Sequence, residues 1–239
     1  MAKRVAIAII SLIMLSGCMY PGELRKENQV NPSEYMTVVQ QAVNQFHTKN
    51  GVLPIKNSDM STPIYEKYVI DFGKLQKGGY LSDIPANAFE SGGVFMYVLV
   101  NPESKPEVKL IDLTAYQAAV DIQKLADDYR KKHNGEIPKG EKIAPSFYYL
   151  DFEKLGSKLP SIRSAYNRQS FIHFIIDESG RVTIDYGPDL MKLIESKGLA
   201  GSLEPGQDLR ELLVAESYFV PVWSAPFRWS QNQPLPATE

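Results

Sequence analysis

Two aspartates occupy matched places in a phrase that the chain repeats. Residues 68–75 read Tyr-Val-Ile-Asp-Phe-Gly-Lys-Leu and residues 148–155 read Tyr-Tyr-Leu-Asp-Phe-Glu-Lys-Leu, so Asp71 and Asp151 stand 80 positions apart. Brought to one cleft, two carboxylates could divide general acid and general base work. Each also directly precedes a short helical pattern, where an aspartate side chain accepts backbone N–H groups, and this capping role needs no second residue. Capping is therefore the simpler reading. His47 and His133 each sit just before a matched stop, Asn50-Gly51 and Asn134-Gly135. They could form a pH- or metal-sensitive pair, but the helix dipole favours an imidazole in a last turn without any partner. His173 alternates with Ile172 and Phe174 and faces away from them in a strand. Cys18 is the only thiol, which excludes an intramolecular disulfide and a cysteine-based zinc site. No Gly-x-Ser-x-Gly, His-Glu-x-x-His, Gly-x-Gly-x-x-Gly or P-loop motif is present. The expectation is a protein that is not an enzyme and takes no cofactor and no metal.

The elements that would position these residues can be read from periodicity. Asn31, Pro32 and Glu34 form a helix start, and Tyr35, Val38, Val39, Ala42, Val43 and Phe46 make one apolar stripe that ends at Gly51. Residues 52–67 are extended or looped. The first copy of the phrase predicts a short strand, a cap at Asp71 and a short helix with Phe72 and Leu75 inward. Residues 94–100 and 108–113 then predict a hairpin. The second half repeats this order. Thr114 and Gln117 suggest a capping box, Ala118, Ile122, Leu125, Ala126 and Tyr129 a buried stripe, and Asn134-Gly135 a stop. A polar loop comes after Pro138, then the second phrase with Asp151 as cap, then a hairpin of residues 171–176 and 182–186 around Asp177-Glu178-Ser179-Gly180.

The fold class expected is α+β, built from two tandem repeats of helix, short helix and antiparallel hairpin plus a C-terminal helix and strand extension. The first repeat covers residues 31–113, the second 114–187 and the extension 188–230. Within the extension, residues 188–197 and 208–216 read as helices and 218–223 as an edge strand, because Pro221 cannot donate to a ladder. Residues 231–239 have no core-forming pattern and read as a flexible tail.

The chain has 239 residues, 44% of them hydrophobic and 23% charged, which places it among ordinary globular proteins. With 26 basic and 28 acidic residues it carries no basic footprint, and nucleic acid is not an expected partner. Residues 1–17 read as an export signal: Lys3 and Arg4 precede an apolar run at 5–15 that is shorter than the roughly 20 residues a membrane span needs. Residues 18–30 are polar and read as a tether.

Leu15-Ser16-Gly17-Cys18 resembles the bacterial lipobox. That resemblance implies diacylglycerol on the Cys18 thiol, cleavage before Cys18, and acylation of the new amino terminus in many bacteria. Two or more acyl chains make a durable anchor where one is marginal. The protein would then sit on the outer face of the cytoplasmic membrane, with membrane contact through the Cys18 lipid. Cleavage removes Lys3 and Arg4, leaving 24 basic against 28 acidic residues, a net −4 that gives no attraction to anionic headgroups. Together with Cys-Met-Tyr-Pro and Glu-Leu-Arg-Lys-Glu-Asn-Gln after it, the segment resembles lipoproteins of the Bacillus type, some of which carry a generic transporter-binding-protein label. The helix closing on Asn-Gly-x-x-Pro is also similar to the heads of pilin-like secretion proteins, which however begin with a long apolar helix where this chain has a lipobox.

The densest aromatic cluster is Tyr218, Phe219, Trp223, Phe227 and Trp229. Tyr218, Trp223, Phe227 and Trp229 are taken as a candidate binding surface, since such side chains anchor interfaces and also close cores. A groove between the two repeats is the other candidate. The function expected is a membrane-anchored extracytoplasmic binding or assembly module for a protein or cell-wall partner. The alternative is a solute-binding lipoprotein of an ABC-type transporter. Against that alternative, the chain lacks the alternating strand and helix pattern of a large bilobed receptor.

Overall fold

The structure is a computed structural model and describes residues 32–238. Residues 1–31, which include Asn31 and the stretches read as an export signal, a lipobox at Cys18 and a tether, lie outside the described residues. Helix α1 (Ser33–Asn50) is capped by Pro32, whose carbonyl accepts from the Met36 amide at 3.0 Å. It buries Met36, Val39, Ala42 and Val43, whereas Val38 is 53% exposed. The buried face is centred on Met36, Val39 and Val43, and Val38 lies roughly 100° round from Val39. Gly51 ends the helix at φ 70°, with its amide on the His47 carbonyl.

The first aspartate phrase does what capping requires. Asp71 accepts from the Lys74 amide and opens α2 (Phe72–Lys77), which buries Phe72 and Leu75. Residues 68–70 lie against β1 (Phe95–Val100), the Ile70 amide donating to the Tyr97 carbonyl and the Leu99 amide to the Tyr68 carbonyl, both at 2.9 Å. Strand β1 pairs antiparallel with β2 (Glu107–Asp112). Asp112 then caps α3 (Leu113–Lys132) by accepting from the Thr114 and Ala115 amides. The expected Thr114 and Gln117 capping box does not form, because the strand's last residue supplies a carboxylate two positions earlier. The buried stripe of α3 is Ala115, Ala119, Ile122 and Ala126, and Leu125 is 37% exposed.

The second phrase makes the same bonds with one difference. The Asp151 amide donates to the Pro138 carbonyl at 2.9 Å, as the Asp71 amide does to Pro54 at 2.8 Å. The Lys154 ammonium reaches the Lys139 carbonyl at 2.9 Å, as Lys74 reaches Ile55 at 2.7 Å. Asp151 accepts from the Glu153 and Lys154 amides, but residues 152–156 form a turn rather than a helix. Gly156, at φ 61°, arrives directly after Leu155 and stops the chain where Gln76 and Lys77 extend the first copy. The polar loop expected after Pro138 is instead an edge strand, β3 (Lys139–Ala144), paired with irregular register to β4 (Phe147–Leu150). An edge needs bonding on one side only, and its exposed lysines and glutamate suit that place. Strands β5 (His173–Asp177) and β6 (Val182–Asp185) complete a four-stranded antiparallel sheet in the order β3-β4-β5-β6.

The C-terminal extension carries the largest corrections. Helices α4 (Gly187–Lys197) and α5 (Arg210–Glu216) form as the pattern requires. Residues 218–223 do not form a regular strand: a single parallel bridge joins Phe219 to Leu110, and Trp223 turns at φ 51°. The terminal strands lie later, as β7 (Phe227–Ser230) and β8 (Gln233–Pro236). Residues 233–236, read as part of a flexible tail, are therefore ordered in a hairpin. Gln231 and Asn232 both take positive φ, the geometry of a two-residue hairpin turn, and Leu235 packs beside Ala144, Phe147, Ile175 and Ala225.

The β1–β2 hairpin is apolar on both faces because both are buried. Phe95, Tyr97, Leu99, Val108 and Leu110 pack with α1 and α2 in one core. Val98, Val100 and Ile111 pack with α3, β5, β6, α4 and α5 in the other. The outer edges of β2 and β6 are closed by matched glutamines. Gln40 on α1 accepts from the Val108 amide at 2.7 Å and donates to the Pro106 carbonyl at 3.0 Å. Gln123 on α3 accepts from the Val182 amide at 2.7 Å and donates to the Gly180 carbonyl at 3.0 Å. Each side chain mimics a neighbouring strand. Replacing Gln40 or Gln123 by alanine should each lower unfolding free energy by about 1–2 kcal/mol, the range expected when a part-buried amide loses its partner. Urea titration with an unchanged slope would register it, and a loss within error would mean that water serves the strand edge equally well.

Candidate functional site

The four aromatics taken as a binding surface have different fates. Tyr218 is 44% exposed, with its carbonyl engaged by the Leu110 amide. Phe227 is fully buried in the larger core, and Trp229 is half-buried against it. The Trp223 indole donates to the Val182 carbonyl at 2.8 Å and meets Tyr116 edge to face. Its backbone amide donates to Glu66 at 2.9 Å. Burial pushes the Glu66 carboxyl up, and that amide bond partly opposes the shift. Three of the four thus close the fold, because an aromatic cluster near a chain end satisfies a core as readily as a partner, and Tyr218 alone remains as a surface group.

Four concavities stand out. An open trough of about 590 Å³ runs between α1 and the β1–β2 loop, lined by Gln41, Asn44 and His47 on one side, Pro106 and Lys109 on the other, and Tyr218 at one end. A groove of about 300 Å³ lies where β1, β2 and the start of α3 meet residues 161–168, with Arg163, Arg168 and Phe219 on its walls. A trough of about 630 Å³ separates the start of α4 from the β7–β8 turn and exposes Tyr149 and Asp185 to it. A smaller cavity of about 220 Å³ lies between α4, α5 and the Tyr166–Asn167 loop.

Asp71 and Asp151 each bond within their own phrase, and neither lines any of these four concavities. His133 stacks on Tyr129 with ring centroids 3.9 Å apart and contacts the Tyr129 carbonyl. His173 is exposed on β5 opposite Asp185. Among the described residues no group of three or more His, Cys, Asp or Glu side chains could hold a metal ion, and no helix is long and apolar enough to cross a membrane.

Several buried charges behind these surfaces were not legible in the sequence. Lys109 is 7% exposed, and its ammonium donates to the Val214 and Ser217 carbonyls at 2.6 and 2.8 Å, at the C-terminal end of α5. Burial lowers its pKa, with Glu107 opposing. Burial would raise the Asp208 carboxyl, but the Arg210 guanidinium, bonded to it at 2.7 Å, holds it below the usual range. Asp185 and Asp189 flank the start of α4. Burial raises both, and Asp189 is pushed up to about 6, with the Ser164 hydroxyl at 2.8 Å opposing and Asp185 adding to the shift. Nothing in their spacing, Asp-Tyr-Gly-Pro-Asp, announces burial; the signal was only that Pro188 starts a helix.

Residues 32–112 match the model of the YphF family N-terminal domain, a bacterial family. The match runs from the cap of α1 to the cap of α3, and the rest of the chain lies beyond it. No curated protein and no solved structure matches the chain.

The raised Asp189 carboxyl keeps its proton in the fold between about pH 4, where the unfolded chain loses it, and about 6. The fold therefore loses stability as pH rises through that window. Asp189→Asn has no such proton to lose, so relative to the native chain it should gain about 2–3 kcal/mol between pH 4 and pH 7. Urea unfolding at the two pH values measures the difference; parallel behaviour of the two chains would place Asp189 in water.

Proposed function

We propose that this protein is a lipoprotein held by acyl chains on Cys18 at the outer face of the cytoplasmic membrane, where it serves as a non-enzymatic binding or assembly module for a protein or cell-wall partner. The observation that carries the partner-binding part is the trough between α1 and the β1–β2 loop, which opens beside Tyr218, a 44% exposed aromatic. Its walls supply the side-chain amides of Gln41 and Asn44, an imidazole and the apolar surface of Met36 and Pro106. That mixture suits an extended chain segment, with Tyr218 as the anchoring contact and the amides reading backbone or hydroxyl groups.

The chain behind this surface is two copies of one unit, in which matched aspartate phrases, lysine contacts and glutamine closures hold matched strands. The family match over residues 32–112 spans the first copy. The competing role, a solute receptor for an ABC-type transporter, would put the ligand in a cleft between the halves, and the groove at residues 161–168 is the place for it.

Two experiments separate the parts of this reading. Cys18→Ala should abolish labelled palmitate incorporation and release the protein from membranes, and a variant that stays membrane-bound would refute the anchor. Crosslinked capture from intact cells should recover a partner with the native chain and about tenfold less with Tyr218→Ala, the loss typical of an anchoring aromatic. The Tyr218 backbone bond to Leu110 survives that change, so equal capture by both chains would exclude the trough.

A further inference from the structure

We propose that the trough between the start of α4 and the β7–β8 turn is a binding site for a basic side chain, a lysine or arginine presented by a partner peptide. Asp185 lines this trough and none of the other three concavities, and it is only 7% exposed. Its side chain stands opposite His173 of β5 and on the same face of the four-stranded sheet as Tyr149 of β4. Oδ1 accepts from the Gly187 amide at 2.9 Å. Oδ2 has no hydrogen-bond partner among the described residues, yet it is not sealed from solvent. Burial pushes the carboxyl up, with the Gly187 amide and His173 opposing, so the fold itself does not offset the cost of holding this charge. A side chain at position 187 would crowd the carboxylate: a Cβ there would stand 2.9 Å from Oδ1 and 3.5 Å from the Pro234 carbonyl. Glycine leaves that space open.

The walls select a donor-rich cation. In the two-residue β7–β8 hairpin the pair flanking the turn, Ser230 and Gln233, exchanges hydrogen bonds, so Pro234 and Pro236 turn their backbone away from β7. An edge of prolines offers carbonyls and no N–H. Both prolines line the trough together with Asp185 and Glu141. The Tyr149 hydroxyl lies in the field of both acids: burial raises it, and the Asp185 and Glu141 charges add to the shift. Lys142 is the one basic residue on the walls, and its ammonium is drawn to the Tyr148 ring at 5.7 Å, a side chain that alternates with Tyr149 and faces the other way. An anion would meet two carboxylates, and an uncharged group would leave Asp185 uncompensated. Ile143, Met191 and Leu235 give apolar surface for the methylene stem of a long basic side chain. The trough's 630 Å³ exceeds one such side chain, and the exposed Asn232 and Gln233 amides on its rim suit the backbone that carries it.

This site is separate from the Tyr218 trough and stands or falls independently of it. The test is saturation-transfer NMR on the full chain in non-ionic detergent, titrated with the N-acetyl amides of lysine and arginine as probes. The N-acetyl amides of norleucine and glutamate serve as uncharged and anionic controls, and butylamine as the lysine side chain without its backbone. The basic probes should show transfer, the two amide controls none, and butylamine should bind more weakly than the lysine amide. Asp185→Asn, which keeps an acceptor for the Gly187 amide, should weaken the basic probes about tenfold, as expected for losing a hydrogen bond to a charged group. Gln233→Trp, on the exposed rim of the trough, should block them while leaving the melting temperature unchanged. Absence of transfer from both basic probes, transfer from the norleucine or glutamate amide, native affinity in Asp185→Asn or in Gln233→Trp, or butylamine binding as tightly as the lysine amide would each overturn the assignment.

Discussion

The backbone of residues 218–223 is the seam on which the rest of the fold depends. At one end it bonds the edge of β2, the Leu110 amide donating to Tyr218 at 2.8 Å and the Val220 amide to Leu110 at 3.0 Å. At the other end the Ile184 amide of β6 donates to the Trp223 carbonyl at 2.8 Å. One stretch of chain thus bonds the outer edges of both β2 and β6, alongside Gln40 and Gln123, where backbone groups would otherwise be exposed to pairing with another chain. Side chains pin it from either side: the Tyr186 hydroxyl donates to the Val222 carbonyl, and Glu66 accepts from the Trp223 amide. The positive φ of Trp223 is tolerated because its amide, carbonyl and indole are all bonded.

The seam in turn is held by buried charge. Lys109 draws the end of α5 onto β2, and the Asp208–Arg210 pair binds the start of α5 to the Ser224 and Phe227 backbone. Removing one partner of such a pair leaves a charge stranded in a poorly solvated place, which is why pairs of this kind fix geometry more than they add stability. The β1–β2 hairpin is the wall between the two cores, so the two halves are not separately packed bodies.

This architecture leaves concavities at the rims as well as the groove where the β1–β2 hairpin meets residues 161–168. The Tyr218 trough runs along the outer side of the wall, and the small cavity at Asp189 lies on the far side of α5.

By itself the sequence determined the local elements: both long helices, the Asn-Gly stops, the helix cap at Asp71 and the amide-accepting turn at Asp151, the two hairpins and the α+β class. These come from short-range rules of periodicity, capping and turn chemistry, which act within a few residues. Tertiary structure alone decided which polar residue becomes a strand surrogate, as Gln40 and Gln123 do, and which charge is buried, as with Lys109 and Asp189. It also decided that Phe227 and Trp223 close the fold while Tyr218 stays outside, and that residues 233–236 form a strand. All but the last depend on a partner tens of residues away, and a glutamine or a lysine carries no mark of what will be packed against it; the strand at 233–236 pairs locally with β7 but is fixed by Leu235 packing beside Ala144 and Phe147.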